Sequence, residues 1–110
     1  MFYIQYFRGI TVEKQNHNNQ HIHDLVVKEL LELHSIAAMI YLIDHGREIG
    51  IEYDNVKGFI SKSRSSEYVS LWIGDIEQAF SSTEQLMDNA EIHGIPLKSV
   101  WKEIRISELW

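Results

Sequence analysis

Hydrophobic residues recur along this chain with two different periods, and the points where the period changes divide it into elements. From Ile22 they fall at helical spacing, with Ile22, Leu25, Val26, Leu30 and Leu33 on one stripe and Lys28, Glu29 and Glu32 opposite. That spacing predicts an amphipathic helix of about four turns ending near His34-Ser35. The run Ile36–Ile43 that follows has the Ala and Met content of a helix. However, Asp44-His45-Gly46-Arg47 is a turn signal, and beyond it Ile49, Ile51 and Tyr53 alternate with Gly50, Glu52 and Asp54. The expected arrangement is therefore a hairpin, Ala38–Ile43 paired with Glu48–Tyr53. Asp54-Asn55 marks the next turn, Val56–Ser61 a further strand, and Lys62 to Ser66 a polar connection. In Glu67–Ile73, Tyr68, Ser70 and Trp72 face one way and Val69, Leu71 and Ile73 the other, completing a four-stranded antiparallel meander that Gly74-Asp75 closes.

The two ends of the chain carry different signals. Phe2–Phe7, rich in aromatic and β-branched residues, and Ile10–Val12 across Arg8-Gly9 read as a hairpin. Glu13 to His23 is polar and rich in Asn, Gln and His, side chains that compete with regular backbone hydrogen bonding, so a surface loop is expected. Towards the C-terminus, Ser81 with Glu84 and Ser82 with Gln85 form two overlapping capping boxes for a short helix to about Ala90 that buries Leu86 and Met87. Pro96 suits the first position of a last helix with Leu97, Val100, Trp101 and Ile104 on its apolar face. That helix ends near Glu103, and Ile104–Leu109 reads as a terminal strand. There is no internal repeat and no candidate domain boundary, so residues 1–110 form one domain. The fold class is α+β: an antiparallel meander of four or more strands packed against one longer and two short helices.

Composition narrows the function classes. An apolar content of 45% and a charged content of 24% are those of an ordered globular chain. With no cysteine there is neither a disulfide nor a thiolate nucleophile or ligand, which fits a reducing compartment. The N-terminus lacks the features of a secretory signal, and the longest apolar run is far too short to span a bilayer, so a cytoplasmic protein without membrane contact is expected. Sixteen acids against ten bases give a net charge of −6, which repels nucleic-acid phosphates and favours a basic partner.

Candidate chemistry is sparse. His17, His21 and His23 beside Asp24 are nitrogen ligands in type, but their spacing is not that of a helical metal motif, and a solvated segment is the simpler reading. Ser61, Ser63, Ser65 and Ser66 cluster with Lys62 and Arg64 in a polar turn that places no base or oxyanion donor. Glu52 and Asp54, two apart on one strand face, match the polar side of an alternation better than an acid–base pair. Lys57, Lys62 and Arg64 are too few for a nucleic-acid surface, and Lys98, Lys102 and Arg105 belong to the solvated side of the last helix. No catalytic residue, metal or cofactor is expected. What remains is a protein-binding surface, with Glu48, Glu52, Asp54, Glu67, Asp75 and Glu77 accompanying Tyr53, Tyr68 and Trp72, while Trp101 on its helical stripe belongs to the core.

The stretch from Gly46-Arg47-Glu48-Ile49-Gly50-Ile51-Glu52-Tyr53-Asp54 through Tyr68-Val69-Ser70-Leu71-Trp72 to Ala90–Trp101 resembles small bacterial immunity proteins, the cognate inhibitors of polymorphic or contact-dependent toxins. The likeness lies in element order and general character. It implies an acidic α+β domain that performs no chemistry and binds a toxin domain, and it carries over no functional residue; the contact set expected from the residue pattern itself is Glu48, Glu52, Asp54, Glu67, Tyr68, Trp72, Asp75 and Glu77. If that toxin is a basic nuclease, acidic residues gathered on one sheet surface would speed association. The expected partner is this toxin domain, and the chain itself a monomer or weak homodimer. Two other readings stand beside it: a small metal-dependent enzyme using His17, His21 and His23, and an oligomeric module in which an edge strand pairs with its twin.

Overall fold

A computed structural model describes residues 15–110, and the expected hairpin over Phe2–Phe7 and Ile10–Val12 lies outside them. Helix α1 (Gln15–Leu33) begins seven residues before the expected start at Ile22, so the Gln15–His23 segment is helical and not a loop. Its polar residues include no Gly or Pro. They extend a helix whose apolar rows anchor it, and Gln20 Nε2 donates to Asp24 Oδ1 one turn on at 3.1 Å. Val26 and Leu30 are fully buried, with Ile22 and Val27 packed beside them, whereas Leu33 is 63% exposed. The stripe ends early because the chain turns sharply at His34, whose φ is +54°.

The expected strand Ala38–Ile43 is instead part of helix α2 (Ile36–Asp44). Ser35 caps it, its side chain accepting from the Ala38 N–H at 3.1 Å. Ala38, Met39, Leu42 and Ile43 are buried, the paired rows of a helix and not the alternation of a strand. The turn signal that argued for a hairpin ends this helix. The Arg47 N–H reaches the Leu42 carbonyl and the Gly46 N–H that of Ile43, with Gly46 at φ +88°, the left-handed C-terminal stop that glycine adopts without strain.

Among the described residues five strands form the main sheet: β1 (Ile49–Tyr53), β2 (Val56–Lys62), β3 (Val69–Ile73), β4 (Ile76–Phe80) and, after the helices, β7 (Arg105–Leu109). Their order is β4-β3-β2-β1-β7, antiparallel throughout. Asp54 and Asn55, at φ +50° and +66°, close the β1–β2 hairpin as a two-residue turn. Gly74-Asp75 does not end the meander as expected but turns it into β4, which replaces Ala38–Ile43 as the fourth strand. Helix α3 (Thr83–Asn89) starts from Ser82, whose hydroxyl accepts from the Gln85 N–H, so Ser82 and not Ser81 is the cap, while the Gln85 side chain accepts from Asn89 Nδ2. A small hairpin, β5 (Glu91–Ile92) and β6 (Ile95–Pro96), leads into α4 (Leu97–Val100), a 3₁₀ turn at Trp101–Glu103 and β7.

The helices lie on one face of the sheet. Ile49, Ile51, Ile60, Val69 and Leu71 from that face join Val26, Leu30, Met39, Leu42, Leu86, Leu97 and Trp101 in one fully buried cluster. Each such Leu or Ile contributes roughly 1.5–3 kcal/mol by leaving water. Gly58 sits in this layer, where an added Cβ would lie 3.0 Å from Leu71 Cδ1 and 3.2 Å from Ile51 Cγ1, so the neighbours occupy the space a side chain would need. Trp101 is 1% exposed, as its helical stripe predicts. Its Nε1–H donates to the His34 carbonyl at 2.7 Å, and His34 Nε2 donates to the Ile104 carbonyl at 2.6 Å, joining the α1–α2 bend to the start of β7. No helix among the described residues is long and apolar enough to cross a membrane.

Candidate functional site

Because residues alternate across a strand, the same register that buries Ile60 and Leu71 turns Phe59, Ser70 and Trp72 to the opposite face. Directly paired positions run Gly50–Phe59–Trp72–Glu77 across β1 to β4, with Ser61–Ser70–Ala79 beside them and Glu52–Lys57 on the other side. None of Phe59, Trp72 and Trp110 belongs to the core cluster. Trp110 meets Phe59 edge-on, ring centroids 5.2 Å apart, and is 51% exposed, while Trp72 is 37% exposed. Tyr68, two residues before Ser70, is 53% exposed. This outer face is thus an aromatic surface set in polar residues, and its polar side chains engage one another. The Ser70 hydroxyl donates to Glu77 Oε2 at 2.5 Å, and Arg105 Nη2 donates to Glu52 Oε1 at 2.6 Å. The Arg105 hydrogen bond holds the Glu52 carboxyl below its ordinary pKa, against a smaller opposing effect of desolvation and with help from the charges of Arg105 and Lys57.

The acidic residues expected to form one surface are instead dispersed. Glu48 and Glu67 line a depression at one end of the sheet together with Asp44, Lys62 and Arg64. Asp54, in the β1–β2 turn, lies 3.5 Å from His93 Nε2. Asp75 occupies the β3–β4 turn, and Glu52 and Glu77 are on the outer face. Of the expected contact set, Tyr68, Trp72, Glu77 and Glu52 share the outer face, and Glu48, whose backbone pairs with that of Trp110, lies at its end. Phe59, Lys57, Arg105 and Trp110 join them without having been read as partners in the sequence. The signal for Phe59 was its parity with Ser61 and its offset from Ile60, but its pairing with Trp72 depends on a cross-strand register that only the folded sheet supplies.

A second constellation involves the histidines. His23 Nε2 accepts from Arg47 Nη1 at 2.6 Å, and Arg47 Nε donates to the Trp110 carbonyl. Tyr41 stacks on His45, ring centroids 3.9 Å apart, and its backbone carbonyl accepts from His45 Nδ1. Burial pushes the His23 pKa down, and the charges of Arg47 and His45 add to this while Asp24 opposes it. His23 therefore faces a guanidinium and not a ligand set, and among the described residues no group of three or more His, Cys, Asp or Glu is disposed to hold a metal ion. Comparison with protein-family models, curated proteins and solved structures finds no match to this chain.

Proposed function

We propose that this chain is a non-catalytic protein-binding module that neutralises a toxin domain, using the outer face of its sheet as the contact surface. The observation that carries the binding role is the grouping of Phe59, Trp72 and Trp110 outside the core on the face opposite the helices. Large, stiff aromatics with polar neighbours supply contact area at low entropic cost, and such residues dominate interface energetics. The toxin as partner follows from the resemblance to immunity proteins. On this face Glu52 is bonded to Arg105 and stands opposite Lys57, which supports aromatic burial over long-range steering as the source of affinity.

The test is titration of the full chain with the toxin domain encoded by the adjoining upstream gene. Binding should move Trp72 and Trp110 emission to the blue, weaken at least tenfold in Phe59→Ala and Trp72→Ala, and change little between low and high salt. Tight binding that both alanine variants leave intact would place the contact elsewhere.

A further inference from the structure

Among the described residues the order β4-β3-β2-β1-β7 leaves two strand edges, and they differ in residue character. The β1–β7 register shifts at Gly50/Ile51, and β7 exposes Arg105 and Glu108, so a bulge and charges of both signs blunt it. Strand β4 pairs with β3 in unbroken register from Ile76 to Phe80, has no Lys, Arg or Pro, and exposes Ile76 to 70%. No strand of the described residues pairs with its other side.

We infer that β4 is a self-association edge on which a second copy of this chain pairs antiparallel about a two-fold axis at Gln78. The two-residue turn Gly74-Asp75 makes Ile73 and Ile76 a hydrogen-bonded pair, so by alternation Gln78 and Phe80 also bond inward to β3. The N–H and C=O groups of Glu77 and Ala79 therefore face outward. In a two-fold pairing centred on Gln78, Glu77 of each copy stands opposite Ala79 of the other, and these two pairs exchange four backbone hydrogen bonds. The same register sets Ile76 against Phe80 on the helix side. Shifting the centre to Glu77 would oppose two carboxylates, which disfavours that alternative. The Gln78 side chain is already held, its Nε2 donating to the Glu91 carbonyl and its Oε1 accepting from the Glu91 N–H, both at 2.8 Å, so it fixes the strand without reaching across the pairing.

Strand β4 adjoins the toxin-binding face at Trp72, whereas Phe59 lies two strands away, so Phe59→Ala should weaken toxin binding and leave self-association as it was. Sedimentation of the full chain should show a monomer–dimer equilibrium at micromolar to submillimolar concentration. Ile76→Lys and Ala79→Lys should each weaken it at least tenfold, with far-UV circular dichroism and melting unchanged, while Ser107→Lys on β7 leaves it as it was. The chain has no cysteine, so Gln78→Cys, whose Cα atoms would face across a non-hydrogen-bonded pair, should oxidise to a covalent dimer where Ser107→Cys does not. A monomer throughout that range would overturn the inference, as would equal loss in Ser107→Lys or no disulfide from Gln78→Cys.

Discussion

The two faces of the sheet are built from interleaved residues of the same strands, yet different forces hold them. On the helix side Ile49, Ile51, Ile60, Val69 and Leu71 are removed from water entirely, and each is fixed by neighbours from the helices and from adjoining strands. On the outer side Trp110 meets Phe59 edge-on, Trp72 stands at the paired position on β3, and the ordering contacts are the Ser70–Glu77 and Glu52–Arg105 bonds. The first face specifies the fold through volume and burial. The second leaves aromatic surface available, and exposed ion pairs of this kind add little to stability.

Substitutions separate these roles. The largest expected effect is Trp101→Ala, which empties a buried site and orphans the His34 carbonyl, costing about 3–5 kcal/mol in denaturant unfolding. Trp72→Ala, a side chain of the same size on the other face, should cost about 1 kcal/mol, and a loss as large as that of Trp101→Ala would mean that the outer face is core. Gly58→Ala comes next, at about 1–3 kcal/mol, because its methyl would press on Leu71 and Ile51. Arg105→Ala, which frees Glu52 on the outer face, should cost less still, and the cost should shrink in salt.

The smallest effect concerns His23, which ties the helix layer through Arg47 to the Trp110 carbonyl and so to the outer face. Its folded pKa lies below the ordinary 6.5, so the unfolded chain takes up its proton first as pH falls. The contribution is complete above 6.5 and declines as pH drops below it, levelling off under the folded value. Subtracting the stability–pH curve of His23→Gln from that of the wild type should isolate this decline, and parallel curves would remove His23 from the linkage.

Much of the fold was legible along the chain. The turn at Asp54-Asn55, the cap before Thr83, the Leu97–Ile104 face and the terminal strand each follow from local chemistry that needs no distant partner. The errors came where two local signals competed. In Ile36–Asp44, helix-forming composition met a turn that reads equally as a hairpin or as a helix stop, and burial of Ala38, Met39, Leu42 and Ile43 under the sheet decided for the helix. In Ile76–Phe80 the polar Glu77 and Gln78 mask a strand that exists because β3 offers it a ladder. Of the candidate site, Tyr68, Trp72, Glu52 and Glu77 were visible as residue types.

The sequence by itself determined the α+β class, the alternation that sends Tyr68, Ser70 and Trp72 one way and Val69 and Leu71 the other, and the burial of Trp101, because period and side-chain polarity are local properties. Only the tertiary structure decided that β7 returns to pair with β1, that Arg105 meets Glu52, and that Trp110 meets Phe59. Those outcomes depend on which strands become neighbours and in what register, which is settled by burying the whole core at once and not by any segment alone.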